Sequence, residues 1–211
     1  MIRSALLISL LVATLSTAFA VGLGSAAGWL LARRAFPGRE LVDALLSLPL
    51  VLPPTVTGYY LLLILGRRGW LGDLAIPFTL GACVIAATVM AFPLVVRAAR
   101  VAFEEIDPRQ RLAAFSLGHG SGSTFWQVEL PLARRGLAAG AALGFARALG
   151  EFGATLMLAG NIPGRTQTLP LAIYEAAMTG ENAVALALCL ALTAVSVVVL
   201  LFVGRLGRGR A

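Results

Sequence analysis

Five apolar runs, each long enough to cross a bilayer, leave this chain almost no alternative to a bundle of membrane helices. They lie at roughly 4–31, 41–65, 76–99, 136–159 and 183–203. At about 1.5 Å of rise per residue, each covers a hydrocarbon core of about 30 Å. With 59% apolar residues and a mean hydropathy of +0.89, little is left over for a separate soluble unit. Residues 1–211 therefore read as a single all-α membrane domain of about five spans, surrounded by lipid. Arg3 ahead of an apolar stretch, with Ala18-Phe19-Ala20 behind it, imitates a secretory leader. The apolarity continues to Ala32, past the core of a typical leader, so the first run is expected to be an uncleaved span.

The charges are 17 bases against 10 acids, and every base is an arginine. They sit at the ends of the runs rather than along one face, which argues against nucleic-acid binding. One side of the expected bundle collects Arg33, Arg34, Arg39, Arg97, Arg100, Arg109, Arg111, Arg134, Arg135, Arg205, Arg208 and Arg210. The other side holds Arg3, Arg67, Arg68 and Arg165. The positive-inside rule places the first group in the cytoplasm, with the N-terminus outside and the C-terminus inside. Cys83 and Cys189 lie within apolar runs and read as reduced packing residues, and His119 alone cannot form a metal cluster. No cofactor or metal site is expected.

Within an expected cytoplasmic loop at 101–135, Asp107 to Pro131 is the one long segment that cannot sit in a bilayer. Asp107-Pro108 is a helix start, an acceptor side chain followed by proline in the first turn. Leu112, Phe115 and Leu117 give the helix an apolar face, and Gly118 marks its end. A short capped helix on a cytoplasmic loop, apolar on one face and carrying arginines on another, is suited to dock into a partner.

Two of the spans carry interruptions. Pro49, Pro53 and Pro54 precede Thr55, Thr57 and Gly58 in the second; freed carbonyls there need protein or a wet cavity. That pattern is consistent with a packing kink or with the lining of a pathway. In the fourth, Arg147 lies about 20 Å along the helix from Arg134, with Glu151 one turn beyond it. The two could form a packing ion pair or a polar gate. Gly140, Gly144, Gly150 and Gly153 nearby allow close helix approach or dimer packing. The polar segment 161–170, around Pro163-Gly164, reads as an outer turn. The helix expected after it, 171–179, is too short to cross and either lies at the outer interface or dips partway in.

Two stretches then point to a family. Ala113, Ala114, Gly118, Val128, Leu130 and Pro131 match, in register, the EAA signature of permease subunits of bacterial ABC importers. FARALGEFGATLMLAGNIPGRTQTLPLAIY (145–174), LPLVLPPTVTGYYLLLILGRRG (48–69) and VMAFPLVVRAAR (89–100) resemble the molybdate permeases of that group. The resemblance covers most of the chain from about residue 41.

The resemblance implies a type I importer permease fold and a homodimer with the translocation path at its interface. It also implies two separate ATP-binding subunits, each receiving a docking helix through Ala113, Ala114, Phe115, Leu117, Gly118, Val128, Leu130 and Pro131. A periplasmic molybdate- or tungstate-binding protein would supply the outer mouth, in the bacterial inner membrane. Pro53, Thr55, Thr57, Arg147 and Glu151 become candidates for pathway or gate. With no lysine the chain cannot make a phosphate-binding loop ending in Gly-Lys-Ser or Gly-Lys-Thr, so it is not itself an enzyme and hydrolysis falls to a partner. The chain departs from the signature at its glutamate, replaced by Leu112 beside Arg111. It departs again after the glycine, where Gly120-Ser121-Gly122-Ser123 replaces basic residues. Apolar docking survives these changes; a salt bridge from that glutamate does not. A sulfate permease is the neighbouring alternative. From a different class, the chain could be a self-contained secondary transporter or a membrane-anchored assembly factor; the former usually carries inverted repeats, of which none is seen, and would have no use for a docking helix.

Overall fold

The computed structural model describes residues 2–208 and is helical throughout, with no strand among them. Three helices span without interruption: α1 (Ile2–Arg33), α4 (Leu80–Glu104) and α10 (Asn182–Arg208). Two more spans are broken. The first break separates α2 (Arg39–Val51) from α3 (Pro54–Leu65) by 113°. The second separates α7 (Leu130–Leu149) from α8 (Gly153–Ala159), bending a continuous helix that starts at Ser121 by 61°. Between α4 and α7 come α5 (Pro108–Ser116), α6 (Ser121–Thr124) and a π-turn (Phe125–Glu129); α9 (Leu169–Met178) precedes α10. Arg210, counted above for orientation, lies outside the described residues.

A stripe of small side chains explains how α1 packs. Ala5, Ser9, Val12, Ala13, Ser16, Ala20, Gly24 and Gly28 are buried at spacings of about one helical turn. Leu7, Leu11, Leu15, Phe19 and Leu23 project outward from the same helix. In lipid no hydrophobic force drives helices together, so close backbone approach must supply the contact energy. A Cβ on Gly28 would stand 2.7 Å from the Ala99 Cβ and 2.8 Å from the Arg100 nitrogen. On α7, Gly140 and Gly144 meet Ala98 and Val95 of α4 in the same manner, whereas Gly150 ends α7 and approaches no other helix.

These contacts also give the chain's course. Ser16, Gly24 and Gly28 meet Val84, Val95 and Ala99 in rising order, so α1 and α4 run parallel. Gly136, Gly140 and Gly144 meet Ala102, Ala98 and Val95, so α7 runs antiparallel to α4. The chain between α1 and α4 must return to its starting side, and α2–α3 is the segment that makes the return. Counting each bent pair as one span gives up to five crossings among the described residues, with α5 and the π-turn at the Arg33 end of the bundle and the 160–181 segment at the other.

The proline pair makes a break far sharper than a kink. A residue before proline is driven out of the helical region. Leu52 precedes Pro53, and Pro53 precedes Pro54; both are extended, at ψ 142° and 136°. The single Pro93 of α4 leaves its helix unbroken.

The segment expected to be an outer turn keeps Pro163, Gly164 and Arg165 exposed at its tip, while the residues after the tip are interior. Thr166, Gln167 and Thr168 are buried, and the Asn161 and Gln167 side-chain amides both donate to Glu175 of α9. The Leu169 amide donates to Ser9 Oγ at 2.7 Å. α9 itself buries Leu169, Leu171, Ala172 and Ala176 against α1 and α10 and leaves Tyr174 and Met178 exposed. Cys83 is buried, Cys189 half-buried, and both are free thiols.

Candidate functional site

At the loop end of the bundle, α5 starts as its sequence dictates. The Asp107 side chain accepts the Arg109 amide at 2.8 Å, and Pro108 fills the first turn. Gly118, at φ 86°, ends the motif in the left-handed region open to glycine. Leu117 therefore lies just past α5, as its cap, rather than on its apolar face. Ala114 is buried beneath the helix, while Ala113, Leu112, Phe115 and Leu117 stand exposed. Val128 and Leu130 are half-buried in the following turn, with Pro131 exposed at the start of α7. The signature residues thus divide into a footing that is buried (Ala114) or half-buried (Val128, Leu130) and an exposed apolar surface. Trp126, 68% exposed and not expected from the signature, is a further exposed aromatic of the same loop.

Beneath α5 lies a charged cluster that the sequence reading missed. Glu129 is 3% exposed and is met by Arg33 at 3.1 Å and Arg111 at 2.9 Å. Its second oxygen accepts from Trp29 Nε1 at 2.7 Å. Trp29 packs edge-on against Phe125, which also meets Phe103. An acid two residues before the loop's closing proline was the available signal, but its partners come from positions 29, 33 and 111.

The two broken spans meet at their breaks. A Cβ on Gly153 would lie 3.0 Å from Pro54 and 3.1 Å from the Thr55 nitrogen; one on Gly58 would lie 2.7 Å from the Ala154 Cα. Pro53 and Thr55 are exposed, which suits a lining role, but Thr57 is buried with a hydroxyl that meets no hydrogen-bond partner among the described residues. Across the second break, Arg147 pairs with Glu151 at 2.6 Å. Glu151, 2% exposed, also accepts the Ala154 amide at 2.8 Å and so caps α8. At the loop end a cavity of about 740 Å³ opens between α2 and α4. In it Arg100 pairs with Asp43, and Arg97 donates to Ser47. Among the described residues no three His, Cys, Asp or Glu side chains converge as a metal would require.

Residues 5–211 match the family described as the inner membrane component of binding-protein-dependent transport systems. The chain belongs to this family. The molybdenum transport system permease ModB of Escherichia coli is 43% identical, over 98% of this chain and 95% of its own. A molybdenum permease of Bacillus subtilis, described as putative, is 41% identical over 93% and 89%. The sulfate permease CysW of Synechocystis is 39% identical over 94% of this chain and 75% of its own. The inward-facing MetNI methionine ABC transporter shares the fold, with a TM-score of 0.80 over 99% of this chain and 95% of that one at 19% identity. The type I permease expectation therefore holds for the fold. The chain is a membrane-spanning transport component of an ABC system, not an enzyme.

Proposed function

We propose that this chain is the permease subunit of a bacterial importer for molybdate or tungstate, working as a homodimer in the inner membrane with its N-terminus outside. The observation that carries the reading is the 43% identity to a molybdenum permease across nearly the whole of both chains. Two separate ATP-binding subunits would receive the exposed apolar surface of α5, and a periplasmic binding protein would deliver the anion at the 160–181 end. Closure of the ATPase pair would rock the spans between inward- and outward-open states.

The site chemistry fits an anion that must be released in every cycle. A dianion held by free arginines at mid-membrane would be trapped. Arg147 is neutralised by Glu151. Hydroxyl and backbone dipoles around Pro53 and Thr55 offer weaker, reversible contacts.

The test is uptake in a strain lacking its own molybdate and sulfate importers, with the cognate ATPase and binding protein supplied. Restored molybdenum-enzyme activity at trace molybdate supports the reading. Rescue of sulfate-limited growth alone overturns it in favour of a sulfate permease.

A further inference from the structure

Glu129 sits where three separately ordered pieces of the chain come together. Arg111 reaches it from α5, Arg33 and Trp29 from the end of α1, and its own backbone leads directly into α7. The carboxylate is buried, and both guanidinium groups approach the same oxygen through Nε at ion-pair distance, 3.1 Å for Arg33 and 2.9 Å for Arg111. α5 has few other holds. Ala114 is its one buried residue, and among the described residues Arg111 is its one side chain in an ion pair. The aromatic packing of Trp29 on Phe125, and of Phe125 on the fully buried Phe103, fixes the ring that feeds the second carboxylate oxygen.

α1 is equally well held at its far end. Ser9 Oγ accepts the Leu169 amide at the start of α9, and Ser9 is buried. Ser9 and Trp29 are about 30 Å apart along a continuous helix. A displacement of α5 delivered to Trp29 and Arg33 would therefore reach the opposite side of the membrane without passing through α7. The sequence adds an independent reason. The signature acid is replaced by Leu112, and the neighbouring Arg111 turns inward to an acid of this chain.

We propose that Glu129 is a positioning residue that ties the docking helix to α1, so that movement of α5 is transmitted to the first span and through Ser9 to α9. This rests on the reading of α5 as the ATPase-docking helix. It goes beyond that reading in assigning the intramolecular path of the stroke.

The test uses the full importer in proteoliposomes, comparing wild type with Glu129→Gln, Arg111→Met and Arg111→Lys. Glu129→Gln is expected to retain the ATPase on co-purification. Molybdate uptake, and the ratio of binding-protein-stimulated to unstimulated hydrolysis, should fall at least tenfold. Arg111→Met should do the same, and Arg111→Lys should recover at least half of the ratio. Pulsed electron-spin distances between labels at Ser116 and Arg34, both exposed, in a background with Cys83 and Cys189 changed to alanine, should stay fixed through the nucleotide cycle. In Glu129→Gln they should vary with it. A Glu129→Gln importer with wild-type uptake and ratio overturns the proposal. So does a Glu129→Gln chain that fails to assemble while Arg111→Met transports normally, since Glu129 would then serve folding alone. Failure of the wild-type chain to bind any ATPase would overturn the docking reading itself, and is seen before any variant is compared.

Discussion

Glu151 holds Arg147 at 2.6 Å while its other carboxylate oxygen accepts the Ala154 amide. One side chain thus neutralises a membrane-embedded cation and caps the helix that begins after the break. The ion pair and the bend of the fourth span are parts of one construction.

Loss of either partner should be costly and loss of both much less so. Arg147→Gln strands a buried carboxylate, a cost of about 3–5 kcal/mol. Adding Glu151→Gln removes that charge, and the amide oxygen can still cap α8. Thermal unfolding in detergent should show a large drop for the single variant and recovery of most of it in the double. A double variant as unstable as Arg147→Gln would exclude this account. One that is stable but inactive in uptake would assign the pair a pathway role.

Gly58 is predicted to be intolerant of even one methyl group. Its Cβ would fall 2.7 Å from the Ala154 Cα, and backbone cannot swing aside as a side chain can. Gly58→Ala should cost about 1–3 kcal/mol by overpacking and lower uptake, whereas Gly22→Ala, in open space, should change neither. Equal stability of the two variants would contradict the packing of the breaks.

Phe115→Asp should abolish ATPase capture and leave the membrane domain folded. Phe115 is 42% exposed, so a charge there spares the bundle. Against a partner's apolar groove the same charge costs a few kcal/mol. Co-purification reads the result, and undiminished ATPase binding would argue against docking through this face.

Orientation can be read with single cysteines at Ser121 and Arg165, both exposed. Thr166 would be a poor site because it is buried. An impermeant thiol reagent should reach Ser121 only from the cytoplasmic side and Arg165 only from outside. Labelling of both from one side would refute five crossings.

Local chemistry alone determined much of this protein. Apolar length dictated the spans, arginine placement separated the two ends, and Asp107-Pro108 set the start of α5. Each follows from solvation or backbone sterics within a few residues. The pairing of Arg147 with Glu151 was legible for the same reason, since one helical turn brings them together. The proline pair announced an interruption, but its 113° angle depends on Leu52 and Pro53 both being extended.

Tertiary structure alone decided the rest. Thr57, a lining candidate by its neighbours in sequence, is buried. Thr166 to Leu169, the part of the polar 161–170 segment beyond its exposed tip, turned inward because Glu175 and Ser9 supply partners for groups that would otherwise need water. Glu129 gathered Arg33, Arg111 and Trp29 from positions up to 100 residues away. No local pattern encodes such a meeting, because a buried charge chooses among whatever partners the packed helices bring within reach.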